Sequence, residues 1–462
     1  MGASATTLQS QLRGRVIGPE DPGYDAARQV YNAMIDRRPK AIAQVADAAD
    51  VIQCIRFAAE NQWPLAIRGG GHNAAGLGIC DDGLVIDFRN LRSVRVDPRT
   101  LTVRVDSGCL WGDVDHATAP FGLAVPCGFI STTGVAGLTL GGGVGYLSRK
   151  YGLTIDNLLE ADVVLADGRL VHASAEENPD LFWALRGGGG NFGVVTSFLF
   201  RGNPLGMVTG GPTFWPVEEA DGLLATFANF MKDAPEEAGG FYAFLEVPPV
   251  PVFPKELHGR TVCGVVWCYA GSPEDADRVL RPVRSYGHPL FEHVGPVPFP
   301  VLQSLFDPLL PSGLQWYWKA DFIREITPEA ATLHVQHGAQ LPSPLSTTHF
   351  YPINGAVHRV RAEDTAWAFR DVNWAHVIVG VDPAPSSRDR ITAWARDYWE
   401  ALHPHSAGAA YVNFMMDEGQ DRVKATYGPN YARLAEVKAK YDPHNLFRVN
   451  QNIQPHMRSA GS

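Results

Sequence analysis

A histidine set inside a run of glycines is the first place in this chain where chemistry could be done. Arg68-Gly69-Gly70-Gly71-His72-Asn73 follows a short apolar segment, Pro64-Leu65-Ala66-Ile67. Glycines let the backbone bend sharply and bring its amides close to an anion with no side chain in the way. The imidazole is then held against whatever the loop cradles, although a surface turn with an incidental histidine would look the same in isolation. Two more runs follow. One is Ser131-Thr132-Thr133-Gly134-Val135-Ala136-Gly137-Leu138-Thr139-Leu140-Gly141-Gly142-Gly143-Val144-Gly145. The other is Arg186-Gly187-Gly188-Gly189-Gly190-Asn191-Phe192-Gly193-Val194-Val195. Each stands beside an apolar, strand-like pattern. Together they suggest a long phosphate-bearing ligand lying across several loops.

The elements that position these loops follow from periodicity. Residues 1–38 read as an N-terminal arm with a short helix. Ala46 to Gln62 carries Val51, Ile55 and Ala58/Ala59 at helical spacing behind Asp47 and Asp50, an amphipathic helix. Short strands are predicted over 65–68, 84–88 and 101–105. Asp167-Gly168 between Val163 and Val171 predicts a hairpin, because that pair suits a tight turn with positive φ. Asn178-Pro179 ahead of Asp180–Leu185 predicts a capped helix with Pro in its first position. Proline-rich segments at 204–216 and 247–254 mark a change of character, and 206–405 alternates helical with strand-like stretches.

At 462 residues the chain exceeds what one hydrophobic core usually serves, so two domains are expected. Apolar residues make up 45% and charged residues 19%, an ordinary globular balance. A formal charge of −10 argues against non-specific nucleic-acid binding. No apolar run reaches membrane-spanning length, and the polar stretch Met1 to Arg15 has no signal core, so a cytoplasmic protein is expected. The six cysteines, at 54, 80, 109, 127, 263 and 268, lie mostly inside apolar patterns and show no metal-ligand spacing.

Gly69-x-Gly71-x-x-Ala74 with Asp87 beyond it satisfies a loose nicotinamide-dinucleotide fingerprint. That reading requires the loop to open a helix. Here the chain continues Ala75-Gly76-Leu77-Gly78-Ile79-Cys80-Asp81-Asp82-Gly83, too rich in glycine and aspartate to make one. The loops instead resemble the FAD-binding half of the vanillyl-alcohol-oxidase (PCMH-type) flavoproteins. More narrowly they resemble the berberine-bridge-enzyme-like oxidases of the bacterial type, with Gly70–Asn73 matching the Gly-Gly-His-Asn/Ser loop and Gly134–Gly145 the second glycine loop. The closing segment matches independently: Tyr411-Val412-Asn413-Phe414, Tyr427-Gly428, Lys440-Tyr441-Asp442-Pro443-His444-Asn445-Leu446-Phe447 and Asn450-Gln451-Asn452-Ile453.

The resemblance implies an α+β, two-domain PCMH-type fold: an FAD-binding domain over 1–205 (core about 38–204), an inserted α+β substrate domain over 206–405, and a segment over 406–462 returning to the first. It implies FAD as cofactor, attached through its 8α carbon to His72. Cofactor contacts are expected from Arg68, Gly69, Gly70, Gly71 and Asn73; from Ser131, Thr132, Thr133, Gly134, Gly137, Gly141, Gly142 and Gly143; from Gly193, Val194 and Val195; and from Asn450 and Asn452. Many relatives carry a second link from a cysteine in a Cys-Pro-x-x-Gly segment. Counted back from Gly134 without a gap, that position is Ile130, and Cys127 falls three residues earlier. A single link through His72 is therefore expected, with Cys127 a buried thiol.

In relatives that oxidise alcohols or sugars, the tyrosine of a Tyr-x-Asn motif lies near the flavin ring, which implies Tyr411 as base. An unperturbed tyrosine titrates near pH 10, so a cation or hydrogen bonds must assist it. Asn413 should share its face if this is a strand. Substrate contacts are expected from Trp316, Tyr317, Trp318, His349 and Tyr351. Strand alternation over 347–353 would put His349 and Tyr351 on one face, though a hydrophobic core would suit these aromatics equally. The expected function is oxidation of a small-molecule alcohol (sugar, aromatic alcohol or secondary metabolite), with molecular oxygen reduced to hydrogen peroxide. The alternatives are a dehydrogenase with another acceptor, an amine oxidase on the same fold, or a non-catalytic flavin binder. No metal, membrane or nucleic-acid partner is expected, and oligomeric state is left open.

Overall fold

The computed structural model describes residues 4–456. Two larger sheets form the first half, beside a short pairing of Leu123–Ala124 with Asn203–Pro204. The first is four-stranded, in the order Arg15–Ile17, Ala41–Gln44, Leu84–Asp87, Leu65–Arg68. Its last three strands run parallel. Ala41, Ile42, Leu65, Leu84, Val85 and Ile86 are completely buried, as continuous apolar strands of a parallel sheet should be. The helix Ala48–Glu60 covers it with Val51, Cys54, Ile55, Phe57 and Ala58, and starts where the Asp47 carboxylate accepts the Asp50 N–H at 3.1 Å.

The second sheet is antiparallel, ordered Val94–Asp97, Thr102–Asp106, Val194–Arg201, Leu158–Val164, Leu170–Ser174. Its last two strands are the hairpin expected around Asp167-Gly168, with Gly168 at φ +80°. One local expectation fails. Asn178 does not cap the helix Pro179–Leu185; it sits in the left-handed region, and its amide donates to the His172 carbonyl at 2.7 Å. Asn tolerates that conformation better than other side chains, and the loop from the hairpin uses it.

The second half is built on one large antiparallel sheet. Its main path runs Phe291–Glu292, Met207–Pro216, Thr261–Tyr269, Ala238–Glu246, Thr347–Pro352, Trp374–Asp382, Gln315–Ile323. Side chains alternate across it. Tyr242, Phe244, Phe350 and Trp374 pack in a cluster with the helix Ala220–Asp233. Phe241, Ala243, Tyr351 and Val377 belong to the other cluster, which continues into the first half of the chain. That second face is where the functional cleft lies.

The last helix, Tyr431–Tyr441, returns to the first half. Its Lys438 is fully buried and ion-paired with Asp442 at 2.7 Å. The ammonium also donates to the carbonyls of Asn191 (2.7 Å) and Phe447 (2.8 Å). A buried lone cation would be very costly, so this set of acceptors fixes how the closing segment seats on the 188–191 loop. Among the described residues no helix is long and apolar enough to cross a membrane.

Candidate active site

The cleft has a volume of about 310 Å³ and is lined from both halves of the chain. Its floor is the loop from Arg68 to Asn73. Gly71 has φ +71°, a left-handed turn that glycine makes without strain. A side chain on Gly70 would strike the backbone of Gly134, so the first two glycine loops touch directly. His72 emerges beside that contact. Its ring stacks on Tyr31 at 3.9 Å, and its Nε2 lies 3.1 Å from Thr132 Oγ1. Burial draws its pKa down to about 4, so the imidazole is neutral at physiological pH, with a ring lone pair available. Tyr31 is also stacked on Trp316, at 4.9 Å. Nothing in the sequence marks Tyr31, which comes from the N-terminal arm and meets His72 only through folding.

The glycine loops divide into two uses. Gly137 and Gly190 line the cleft, and nothing stands within 4 Å of where their Cβ atoms would be. Side chains there would fill the space that a flat cofactor needs, so the loops fit FAD. Asn450 also lines the cleft, and its Oδ1 is buried with no partner in the protein, a free acceptor for a ligand N–H. Gly69, Gly70, Gly71, Asn73, Thr133 and Gly134 line it too.

Several expected cofactor residues are used otherwise. Gly141, Gly142 and Gly143 do not line the cleft. They lack side chains because Asn413, Trp367 and Thr154 press against them. Gly193, Val194 and Val195 lie at the start of a strand and pack into the core, so the third loop meets the cleft at Gly189–Asn191 instead. Ser131 is tied by its hydroxyl and its N–H to Asp307. Asn452 does not reach the cleft. Arg68 lines it, but its guanidinium is taken by Asp87 at 2.8 Å and the Ala27 carbonyl at 2.7 Å. It therefore braces the loop rather than clamping a phosphate. The same pairing, with Arg89 on the other side, occupies the aspartate that a nicotinamide reading would have given to a ribose.

Tyr411 lines the cleft, but not from a strand. It precedes a single 3-10 turn, Val412–Phe414. The turn folds Asn413 back, so that its Nδ2 donates to Tyr411 Oη at 2.6 Å. The backbone N–H groups of Gly143 (3.0 Å) and Val144 (3.4 Å) donate to the same oxygen. These are the assisting hydrogen bonds that the sequence could not show. They stabilise a phenolate, but burial opposes them and wins, leaving the pKa at about 12. The strand expectation fails because alternation was inferred across a motif whose chain turns instead.

Much of the remaining lining is aromatic. Trp316 and Trp318 stand edge to face at 5.9 Å, and Tyr351 stacks on Phe129 at 3.9 Å. His349, Tyr351 and Trp318 all line the cleft; Tyr317, on the other face of its strand, does not. Among the described lining residues only Arg68 carries a formal charge, and Asp87 neutralises it.

Cys127 is buried and outside the cleft lining, although Gly128 and Phe129 are within it. Burial pushes its thiol well above the ordinary range, which withholds the thiolate needed to attack a flavin. Mass mapping of a proteolytic digest is expected to find flavin on the His72 peptide and none on the Cys127 peptide. Flavin on Cys127 would show that the loop moves to present it. All six cysteines are buried and unpaired. Among the described residues no group of three or more His, Cys, Asp or Glu could hold a metal.

Residues 39–174 match the model of the FAD binding domain family, and 410–454 match that of the berberine and berberine-like family. The fold and this site define an FAD-linked oxidoreductase. The chain belongs to the berberine-bridge-enzyme-like family of those enzymes, and FAD is its cofactor. It is 30% identical to the uncharacterized FAD-linked oxidoreductase YgaK of Bacillus subtilis, over 98% of this chain and 99% of that one. It is also 30% identical to (R)-6-hydroxynicotine oxidase of Paenarthrobacter nicotinovorans, over 96% and 97%. Among solved structures, 6-hydroxy-D-nicotine oxidase from Arthrobacter nicotinovorans superposes with a TM-score of 0.86 at 28% identity, covering 98% and 100% of the two chains. BBE-like 1 of Physcomitrella patens shares the fold, with a TM-score of 0.87 at 22% identity over 98% and 99%.

Proposed function

We propose that this enzyme is an oxidase that removes a hydride from a carbon bearing a hydroxyl group on an uncharged, flat aromatic or heteroaromatic substrate. It would then reduce molecular oxygen to hydrogen peroxide. The observation that carries this is the cleft itself, which brings together the glycine loops, His72, Tyr411 and the aromatic rings of Trp316, Trp318, Phe129 and Tyr351. Stacked aromatic walls suit a flat ring.

FAD, when bound, supplies the hydride acceptor. His72 would tether it, and Gly137, Gly190 and Asn450 would hold it. Tyr411 Oη would receive the substrate hydroxyl proton, while the N–H groups of Gly143, Val144 and Asn413 hold the oxygen in place. Oxygen uptake with stoichiometric peroxide, screened over aromatic alcohols, heterocyclic amines and sugars, tests the reading. Turnover of sugars alone would refute the aromatic assignment, and flavin reduction without oxygen uptake would point to a dehydrogenase.

The pH dependence follows from the sign of the Tyr411 shift. With a pKa near 12, the phenolate fraction rises tenfold per pH unit through the neutral range. Anaerobic flavin reduction by an alcohol is therefore expected to accelerate with pH, with a logarithmic slope near one from about pH 7 to 10. A flat profile over that range would exclude the Tyr411 phenolate as acceptor.

The scarcity of that phenolate at neutral pH favours one second reading, an amine substrate. A free amine can give up hydride without prior removal of a hydroxyl proton. The likeness to (R)-6-hydroxynicotine oxidase supports it. An amine turned over at a rate unchanged by Tyr411→Phe would decide for it.

A further inference from the structure

Thr347, His349 and Tyr351 follow one another on the cleft face of a single strand, and their hydrogen bonds form one chain. Thr347 Oγ1 lies 2.7 Å from the Phe244 carbonyl and 2.9 Å from His349 Nε2. His349 Nδ1 lies 2.5 Å from Tyr351 Oη. Counting protons orients every link. A carbonyl can only accept, so the single hydroxyl proton of Thr347 goes to Phe244. Oγ1 must then accept from His349, which places the imidazole proton on Nε2 and leaves Nδ1 bare. Burial keeps the ring neutral, with its pKa drawn down to about 3, so no second ring proton competes. Nδ1 therefore accepts from the Tyr351 hydroxyl. That hydroxyl has turned its proton inward and keeps only lone pairs for a molecule in the cleft.

We infer that Tyr351 is a specificity-determining hydrogen-bond acceptor, set in that sense by Thr347 acting through His349, and that it selects ring substrates carrying an uncharged O–H or N–H donor. The inference rests on the proposed oxidation of a ring substrate in this cleft. The tyrosine is held in place, with its ring stacked on Phe129 at 3.9 Å and edge to face with Phe241 at 5.3 Å. An ether or carbonyl oxygen placed opposite it would meet lone pairs. A cation would find no carboxylate among the described lining residues. The donor that Tyr351 selects is therefore a group other than the reacting hydroxyl, whose single proton goes to Tyr411. The role of Thr347 appears only when the three protons are counted together.

Calorimetric titration of the holoenzyme with 2-naphthol and 2-methoxynaphthalene, two ligands of one shape that differ in the donor, tests this. The wild type is expected to bind 2-naphthol between about twofold and tenfold more tightly, the worth of one neutral hydrogen bond. Tyr351→Phe should abolish the preference. Thr347→Val should also bring it close to parity, because His349 can then carry its proton on Nδ1 and Tyr351 can donate to the ether. Equal affinities in the wild type, or a preference undiminished in Thr347→Val, would overturn the assignment. Only binding is read, so that result would leave the proposed oxidation standing. Failure of the oxidation reading would show instead in the oxygen-uptake screen.

Discussion

Tyr411→Phe should slow reduction of the flavin by an alcohol substrate by about 10²–10⁴-fold, the usual contribution of a positioned general base. The substitution removes one oxygen and keeps the ring, which remains packed against Trp367 at 5.1 Å and Phe414 at 4.7 Å. It also takes away the acceptor shared by Gly143, Val144 and Asn413. Asn413 keeps a second partner, the Leu138 carbonyl at 3.0 Å, whereas the Gly143 and Val144 amides are bonded to Tyr411 alone. Each buried donor left unpaired costs about 1–3 kcal/mol, so the variant should melt several degrees lower while retaining FAD. Anaerobic rapid mixing separates the two effects, because a stability loss leaves the rate of the folded fraction untouched. A variant that reduces its flavin at the wild-type rate would remove Tyr411 from the mechanism.

His72→Ala should abolish covalent attachment completely. In acid-denatured protein run on a gel, the wild type is expected to keep a yellow fluorescent band and the variant to lose it. The variant should still hold FAD non-covalently, because Gly137, Gly190 and Asn450 are untouched. Its affinity should fall further than loss of the bond alone implies, since Tyr31 loses its stacking partner. A fluorescent band surviving in His72→Ala would locate the tether elsewhere. Loss of fluorescence from the denatured wild type would show that there is no tether.

The sequence carried the floor of the cleft better than its wall. The loop at 68–73 could be recognised because glycine, histidine and asparagine in that order have few other uses, and the closing segment because its matches from Tyr411 to Ile453 fall together in order. Local rules also placed the helix behind Asp47 and the hairpin at Asp167-Gly168. They failed where one residue type serves two ends. Gly141–Gly143 and Gly137 look alike in the chain, yet the first three make room for protein side chains and the last for a ligand. Arg68 was expected to contact the cofactor, and folding places Asp87 against its guanidinium. The 3-10 turn at Val412–Phe414 is dictated by where Tyr411 must meet the Gly143 amide, a contact between residues 268 apart that no local pattern encodes.

The seat of Lys438 has a consequence for how the enzyme is made. Its partner carbonyl, that of Asn191, belongs to a residue synthesised 247 positions earlier. At about 5–20 residues per second, the third glycine loop waits roughly 12–50 seconds on the ribosome before the helix that locks it exists. During that interval the first half of the chain has its glycine loops but not Asn450, and Tyr411 is added only near its end. The cleft is therefore completed only when the end of the chain has been made and Lys438 has seated on the third loop.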